Sequence, residues 1–180
     1  METYIALLRG INVSGQKKII MADLRLQLEN INLKNVRTYI QSGNIIFAAK
    51  KTSQIDLEKK IKTEILKQYG FDVPILVLTS DYIQNVLENN PWKKESDTAK
   101  LYFTLLAEEP IQENIVKIKK DNYLPDEFSI NKKVVYINVP NGYGRTKLNN
   151  NFFENKFKVQ ATTRNWKTLN KILEIINEEN

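Results

Sequence analysis

Three stretches of this chain gather the groups that could hold an anion. The first runs from Gly10 to Lys17, a glycine loop between a strand-like and a helix-like segment. Small residues let backbone N–H groups approach an anion near a helix N-terminus, so a phosphate cradle is one reading. Its spacing lacks the Lys and Ser/Thr that directly follow the second glycine of a Walker A loop, which excludes nucleoside triphosphate binding by that mode. An ordinary glycine-containing connection is the plainer alternative. The second stretch, Arg37 to Asn44, offers Arg37, Tyr39, Gln41, Ser42 and Asn44. The third pairs Asn141 to Lys147 with Thr162 to Trp166, contributing Arg145, Lys147, Arg164 and Asn165. Arginine carries a fixed fork of donors matched to carboxylate and phosphate. These polar groups could equally satisfy turn backbone or pair with surface acids.

What the chain lacks narrows the chemistry further. It contains no Cys and no His. There is therefore no thiolate nucleophile, no Ser-His-Asp triad and no zinc site of the usual ligand set. An acid or base would have to be Asp, Glu, Lys or Tyr with a displaced pKa, and Tyr39, Tyr143 and Lys147 are the motif-embedded candidates. No acidic cluster advertises a metal, and no cofactor is expected. The net charge of +6 permits an anionic partner. Most of that charge is scattered lysine without a dense basic block, however. No apolar run reaches the roughly 18 residues of a membrane span, no basic segment opens a signal peptide, and absent cysteines suit a cytoplasmic setting.

The elements that would position these groups follow from periodicity. Strands are expected over Tyr4 to Arg9, Val36 to Gln41, Asn44 to Ala48 and Pro74 to Thr79. Between them lie a helix over Met21 to Ile31 and one capped by Ser53, striped by Leu57, Ile61, Ile65 and Tyr69, and stopped by Gly70. A connecting helix starts at Ser80 or Asp81 and ends before Pro91. The order then repeats: strand Lys100 to Ala107, a helix after Pro110 with Ile111, Ile115 and Ile118 inward, and a hairpin of Glu127 to Ile130 with Lys133 to Val139. A helix over Leu148 to Asn155, a strand over Lys158 to Thr162 and a closing helix follow. That helix is capped by Thr163 or Asn165 and presents Trp166, Leu169, Leu173 and Ile176.

Two successive β-α-β-β-α-β patterns predict an α+β protein of two tandem ferredoxin-like units packed together, spanning residues 1–95 and 96–180. In such a unit the first and second strands run parallel, bringing Arg9 and Asn12 near Gln41, Ser42 and Asn44 at one sheet edge. The same reasoning places Arg145 and Lys147 near Arg164 and Asn165. Both alternating faces of Ile5 to Leu8 and Ile45 to Phe47 are apolar, so the face away from the helices should be buried, most simply against the second unit. RNA recognition on an open sheet is disfavoured, because Asn44 to Ala48 offers only Phe47 and no matching aromatic motif.

The segments YIALLRGINVSG, KNVRTYIQSGNIIF, VYINVPNGYGRTKL and ATTRNWKTLNKI closely resemble the bacterial family known as domain of unknown function 1697. Four ordered motifs across nearly the whole chain carry the resemblance. It implies a pair of ferredoxin-like subdomains, and no activity, substrate or catalytic residue. Where members often read RGINVGG, Ser14 replaces the first of two glycines, which weakens a pure backbone cradle. Three functions remain open. The preferred one is binding of a small phosphate- or carboxylate-bearing ligand at a polar cleft between the subdomains, using Arg9, Asn12, Arg37, Gln41, Ser42, Asn44, Arg145, Lys147, Arg164 and Asn165. The alternatives are a sequence-tolerant nucleic-acid binder and an enzyme using carboxylate, Lys or Tyr acid–base chemistry. The oligomeric state has no sequence signature here.

Overall fold

A computed structural model describes residues 1–178. The first four strands are β1 (Glu2–Leu8), β2 (Lys34–Tyr39), β3 (Asn44–Ala49) and β4 (Ile75–Thr79), joined by helices α1 (Met21–Asn30) and α2 (Gln54–Tyr69). They form one four-stranded sheet in the order β2-β3-β1-β4, with every neighbouring pair antiparallel. Helix α3 (Ser80–Glu88) follows. The second sheet contains β5 (Leu101–Leu106), β6 (Glu127–Asn131), β7 (Val134–Asn138) and β8 (Ala161–Asn165), with helices α4 (Gln112–Lys119) and α5 (Asn150–Phe157). Its order, β6-β7-β5-β8, repeats the first and is again wholly antiparallel between neighbours. Helix α6 (Trp166–Asn177) closes the chain.

The chain divides into two compact units, Met1–Gln84 with the residues from Ile172 onward, and Asn85–Lys171. The division falls inside α3 and α6, whereas the sequence suggested a single boundary near residue 95. In unit 1, α1 buries Met21, Leu24 and Leu28, and α2 buries Leu57, Ile61 and Ile65, at the spacing that puts residues on one helical face. These pack on Tyr4, Ala6, Leu8, Ile45 and Phe47. The other face of the sheet is buried as well: Ile5, Leu7, Ile46, Leu76 and Leu78 are all shielded from solvent. Unit 2 has its own core, in which Val135, Ile137, Phe153 and Phe157 are buried and Tyr123, Phe128 and Phe152 pack edge-on around them.

Local signals set most boundaries. The Ser53 hydroxyl accepts from the Asp56 N–H at 3.1 Å, capping α2. Gly70 ends it in the left-handed conformation, donating its N–H to Leu66 O at 2.9 Å. Four expectations shift. Helix α5 runs on to Phe157, because Lys158 adopts the left-handed conformation at its C-terminus and donates to Glu154 O at 2.8 Å. Strand β8 therefore begins at Ala161, three residues later than expected. Ile111 precedes α4 in extended geometry and is 62% exposed, so it lies outside the apolar stripe. On α6 the buried positions are Leu169, Ile172 and Ile176, with Leu173 only half-buried.

One close approach organises the end of the first sheet. Leu8 donates its N–H to Gly43 O at 2.8 Å, and a Cβ on Gly43 would lie 2.6 Å from Leu8 Cβ and 2.9 Å from Ile11 Cδ1. Gly43 also sits at φ +79°, a conformation costly to L-residues. Gly70 shares a positive φ but has open space where its Cβ would be. Gly43→Ala should cost about 2–4 kcal/mol through overpacking plus backbone strain, against about 1 kcal/mol for Gly70→Ala. Urea unfolding of both variants measures the difference. Equal losses would show that the contact with Leu8 and Ile11 has no energetic weight.

Candidate functional site

The structure assembles the first predicted edge, and then spends most of its polar groups internally. Asn12 lies in the loop after β1, at φ +55°. Its amide donates to Ile19 O at 3.0 Å and to Gln41 O at 2.9 Å, while its Oδ1 accepts from the Ile19 N–H at 2.9 Å. Both amide hydrogens and the carbonyl oxygen are thereby engaged. Asn44 is fully buried, and its amide donates to Tyr39 O and to Ser42 Oγ, each at 3.0 Å. Gln41 and Ser42 are exposed, and what they give this network is a backbone carbonyl and a hydroxyl acceptor.

The glycine loop is a closed turn. Gln16 donates its N–H to Val13 O at 2.9 Å, and Asn12 donates its N–H to Lys17 O at 3.2 Å. Two of the loop's backbone donors, those of Asn12 and Gln16, are thereby used within the loop. Lys17 reaches away to Asp72 O at 2.6 Å and lies over the Phe71 ring, 5.9 Å from its centroid. Arg9 is half-buried at the end of β1, where its N–H donates to Pro74 O at 3.0 Å. Arg37 donates to Ile175 O in the last turn of α6, the role of a cation that satisfies helix C-terminal carbonyls.

The second edge leaves cations available. After β7 the chain turns through a short 3-10 segment, Tyr143–Arg145, whose Tyr143 stacks on Tyr102 at 4.6 Å between centroids. Thr146 is buried; its hydroxyl donates to Asp126 Oδ2 at 2.6 Å and accepts from the Leu148 N–H at 3.0 Å. With Thr146 held inward, Arg145 and Lys147 on either side are exposed. Both line a cavity of about 410 Å³ with Asn122, Tyr123, Leu124, Pro125, Asp126 and Asn141. That volume is within the usual range for small-ligand sites. Among the described residues, neither Arg145 nor Lys147 forms an ion pair or a side-chain hydrogen bond.

Arg164 and Asn165 do not line this cavity. Arg164 is half-buried on β8 and donates to Thr163 O at 2.9 Å; burial pulls its pKa down to about 10, against which a neighbouring Tyr143 acts. It stays charged at neutral pH. Asn165 accepts from the Thr168 N–H at 2.8 Å and so caps α6, as one of its two expected caps. The segment Asn122 to Asp126 was missed as a lining element; its Asn, Pro and Asp cluster marks a turn and carries no chemical motif.

Electrostatics offer no group poised near neutral pH for proton transfer among those that shift. The Tyr4 hydroxyl holds the Glu2 carboxyl below its ordinary value, and Lys117 does the same for Glu113. Burial raises the phenols of Tyr4, Tyr69 and Tyr136, and raises Tyr123 to about 12. Among the described residues, no three acidic side chains come together as a metal site, and no helix is long and apolar enough to cross a membrane.

A family described as "Protein of unknown function (DUF1697)" matches residues 1–136. The chain belongs to this family. The chain is also similar in structure to a conserved bacterial protein, SP0830 from Streptococcus pneumoniae, with a TM-score of 0.76, 28% identity, and coverage of 96% of this chain and 97% of that one. No curated protein matches. This DUF1697 protein thus shares a mixed α+β fold of two four-stranded sheets with a bacterial relative, and takes no activity from it.

Two expectations follow. Asn12→Ala removes three hydrogen bonds from a half-buried site and should cost about 2–3 kcal/mol, measured by urea unfolding; an unchanged midpoint would remove its structural role. The raised phenols bind protons more tightly folded than unfolded, so their stabilisation is complete below pH 10 and lost as pH rises from 10 toward 12. Arg164 acts oppositely, its penalty easing above pH 10. Tyr123→Phe should flatten the alkaline loss of stability; an identical pH profile would contradict the raised value.

Proposed function

We propose that this DUF1697 protein binds a small phosphate- or carboxylate-bearing anion in the unit 2 cavity, with Arg145 and Lys147 as its charged contacts. The observation that carries this reading is two exposed cations lining one cavity without an acid bound to either. Arginine supplies a planar fork and lysine a mobile point charge, a pair suited to an oxyanion. Asn122 and Asn141 add amide donors and acceptors that can fix orientation. Asp126 also lines the cavity, but its carboxylate is tethered by the Thr146 hydroxyl.

In the same reading each unit is a ferredoxin-like plait, supported by the β-α-β-β-α-β order and the two equivalent strand orders. A cytoplasmic site of action rests on the absence of cysteine and fits a phosphorylated metabolite as ligand. Binding, with no reaction, is preferred because the perturbed acids and phenols move away from neutrality.

Thermal unfolding against pyrophosphate and citrate tests the proposal. A ligand at 100 times its Kd adds about 2.7 kcal/mol, and Arg145→Ala/Lys147→Ala should abolish that gain with little change in the ligand-free midpoint. Equal stabilisation of native and variant protein would overturn the assignment.

A further inference from the structure

Unit 1 contains a second concavity that none of the three sequence stretches touches. It occupies about 500 Å³ between the start of β2, the end of β3 and the first turns of α2. Its floor is apolar: Leu33, Ala49 and Leu57 line it and are otherwise almost wholly buried in the unit 1 core. Lys34, Lys50 and Lys60 line it too, and all three are exposed.

The backbone explains why three lysines meet there. Strands β2 and β3 are antiparallel with Lys34 opposite Ala48, so the start of one overlaps the end of the other, where Lys50 follows. The register shifts between Lys34 and Arg37, with Asn35 at φ +50°, so the edge strand bends locally at this point. Lys60 stands one helical turn beyond Leu57 on α2. Neighbouring Lys51 is paired with Glu2 at 3.4 Å, whereas Lys34, Lys50 and Lys60 have no ion pair or side-chain hydrogen bond among the described residues. The one acid in the lining, Asp56, already accepts a hydrogen bond from the Ser53 hydroxyl at 2.6 Å.

We infer that this concavity is a separate binding site for a small amphipathic anion, an apolar body of ring or short-chain size carrying one carboxylate or phosphate. Three like charges around one hollow repel each other, and an anion relieves that repulsion. Hydrated surface lysines alone hold a bare anion poorly. The apolar floor supplies the remainder only to a ligand with apolar surface to bury. The site is independent of Arg145 and Lys147, which lie in the other unit.

The test titrates the full-length protein with 1-naphthyl phosphate at low ionic strength by calorimetry. With Arg145→Ala/Lys147→Ala as the background, so that the unit 2 cavity does not contribute, saturable binding is expected and is weakened at least about tenfold when Lys34→Ala/Lys50→Ala/Lys60→Ala is added. Neutral 1-naphthol and inorganic phosphate should each bind at least about tenfold more weakly. Native affinity in the triple lysine variant, or inorganic phosphate matching the aryl phosphate, would overturn the inference. So would displacement of the probe by a short oligonucleotide with a steep salt dependence, which would assign the lysines to nucleic acid.

Discussion

The N-terminal half of this protein hangs on the side chain of Asn12. One half-buried amide bonds two backbone groups of its own loop and a third from the turn between β2 and β3, 29 residues away. It ties the loop ahead of α1 to the turn after β2 and so links the ends of two strands that never pair directly. The Leu8–Gly43 approach depends on the same closure, since only a turn held this near β1 needs a residue without Cβ. A polar side chain in that position substitutes for the strand pairing that the sheet order denies to β1 and β2.

That arrangement explains how a motif can be dense in polar residues and still spend several of them on its own backbone. Asn12, Asn44 and Lys17 have the residue types of an anion pocket, yet each is directed at a backbone carbonyl. Buried or half-buried polar groups must be satisfied, and here the chain satisfies them itself. The second unit does the reverse. Thr146 turns inward onto Asp126, which leaves its neighbours Arg145 and Lys147 facing a cavity with their charge unspent. The difference between the two edges is one of bookkeeping in donors and acceptors.

Much of the fold was legible in the residues. Among the described residues, alternating and helical apolar periods mark the eight strands and six helices, Ser53 and Gly70 delimit α2, and the doubled element order is plain in the sequence. What could not be read was set by nonlocal contact or by unusual backbone. Lys158 carries no mark of a left-handed C-terminal position, so the start of β8 was misplaced. Arg37 finds its acceptor 138 residues later, at Ile175. The candidate site was half legible: Arg145 and Lys147 stood out by type, but the wall formed by Asn122 to Asp126 is an ordinary turn sequence. The lysine-lined hollow was invisible, because Lys34, Lys50 and Lys60 belong to three elements that only the sheet register and α2 bring together.

The polar edge of unit 1 bonds largely to its own backbone, and that of unit 2 is the edge proposed to bind a ligand. Amide chemical-shift mapping of the native protein during a pyrophosphate titration addresses both halves at once. Shifts confined to Asn122–Asp126 and Asn141–Lys147, with the Gly10–Lys18 loop silent, are the expected result. Shifts concentrated in the Gly10–Lys18 loop and around Gln41 to Asn44 would contradict it, and would return the ligand to the edge that Asn12 holds closed.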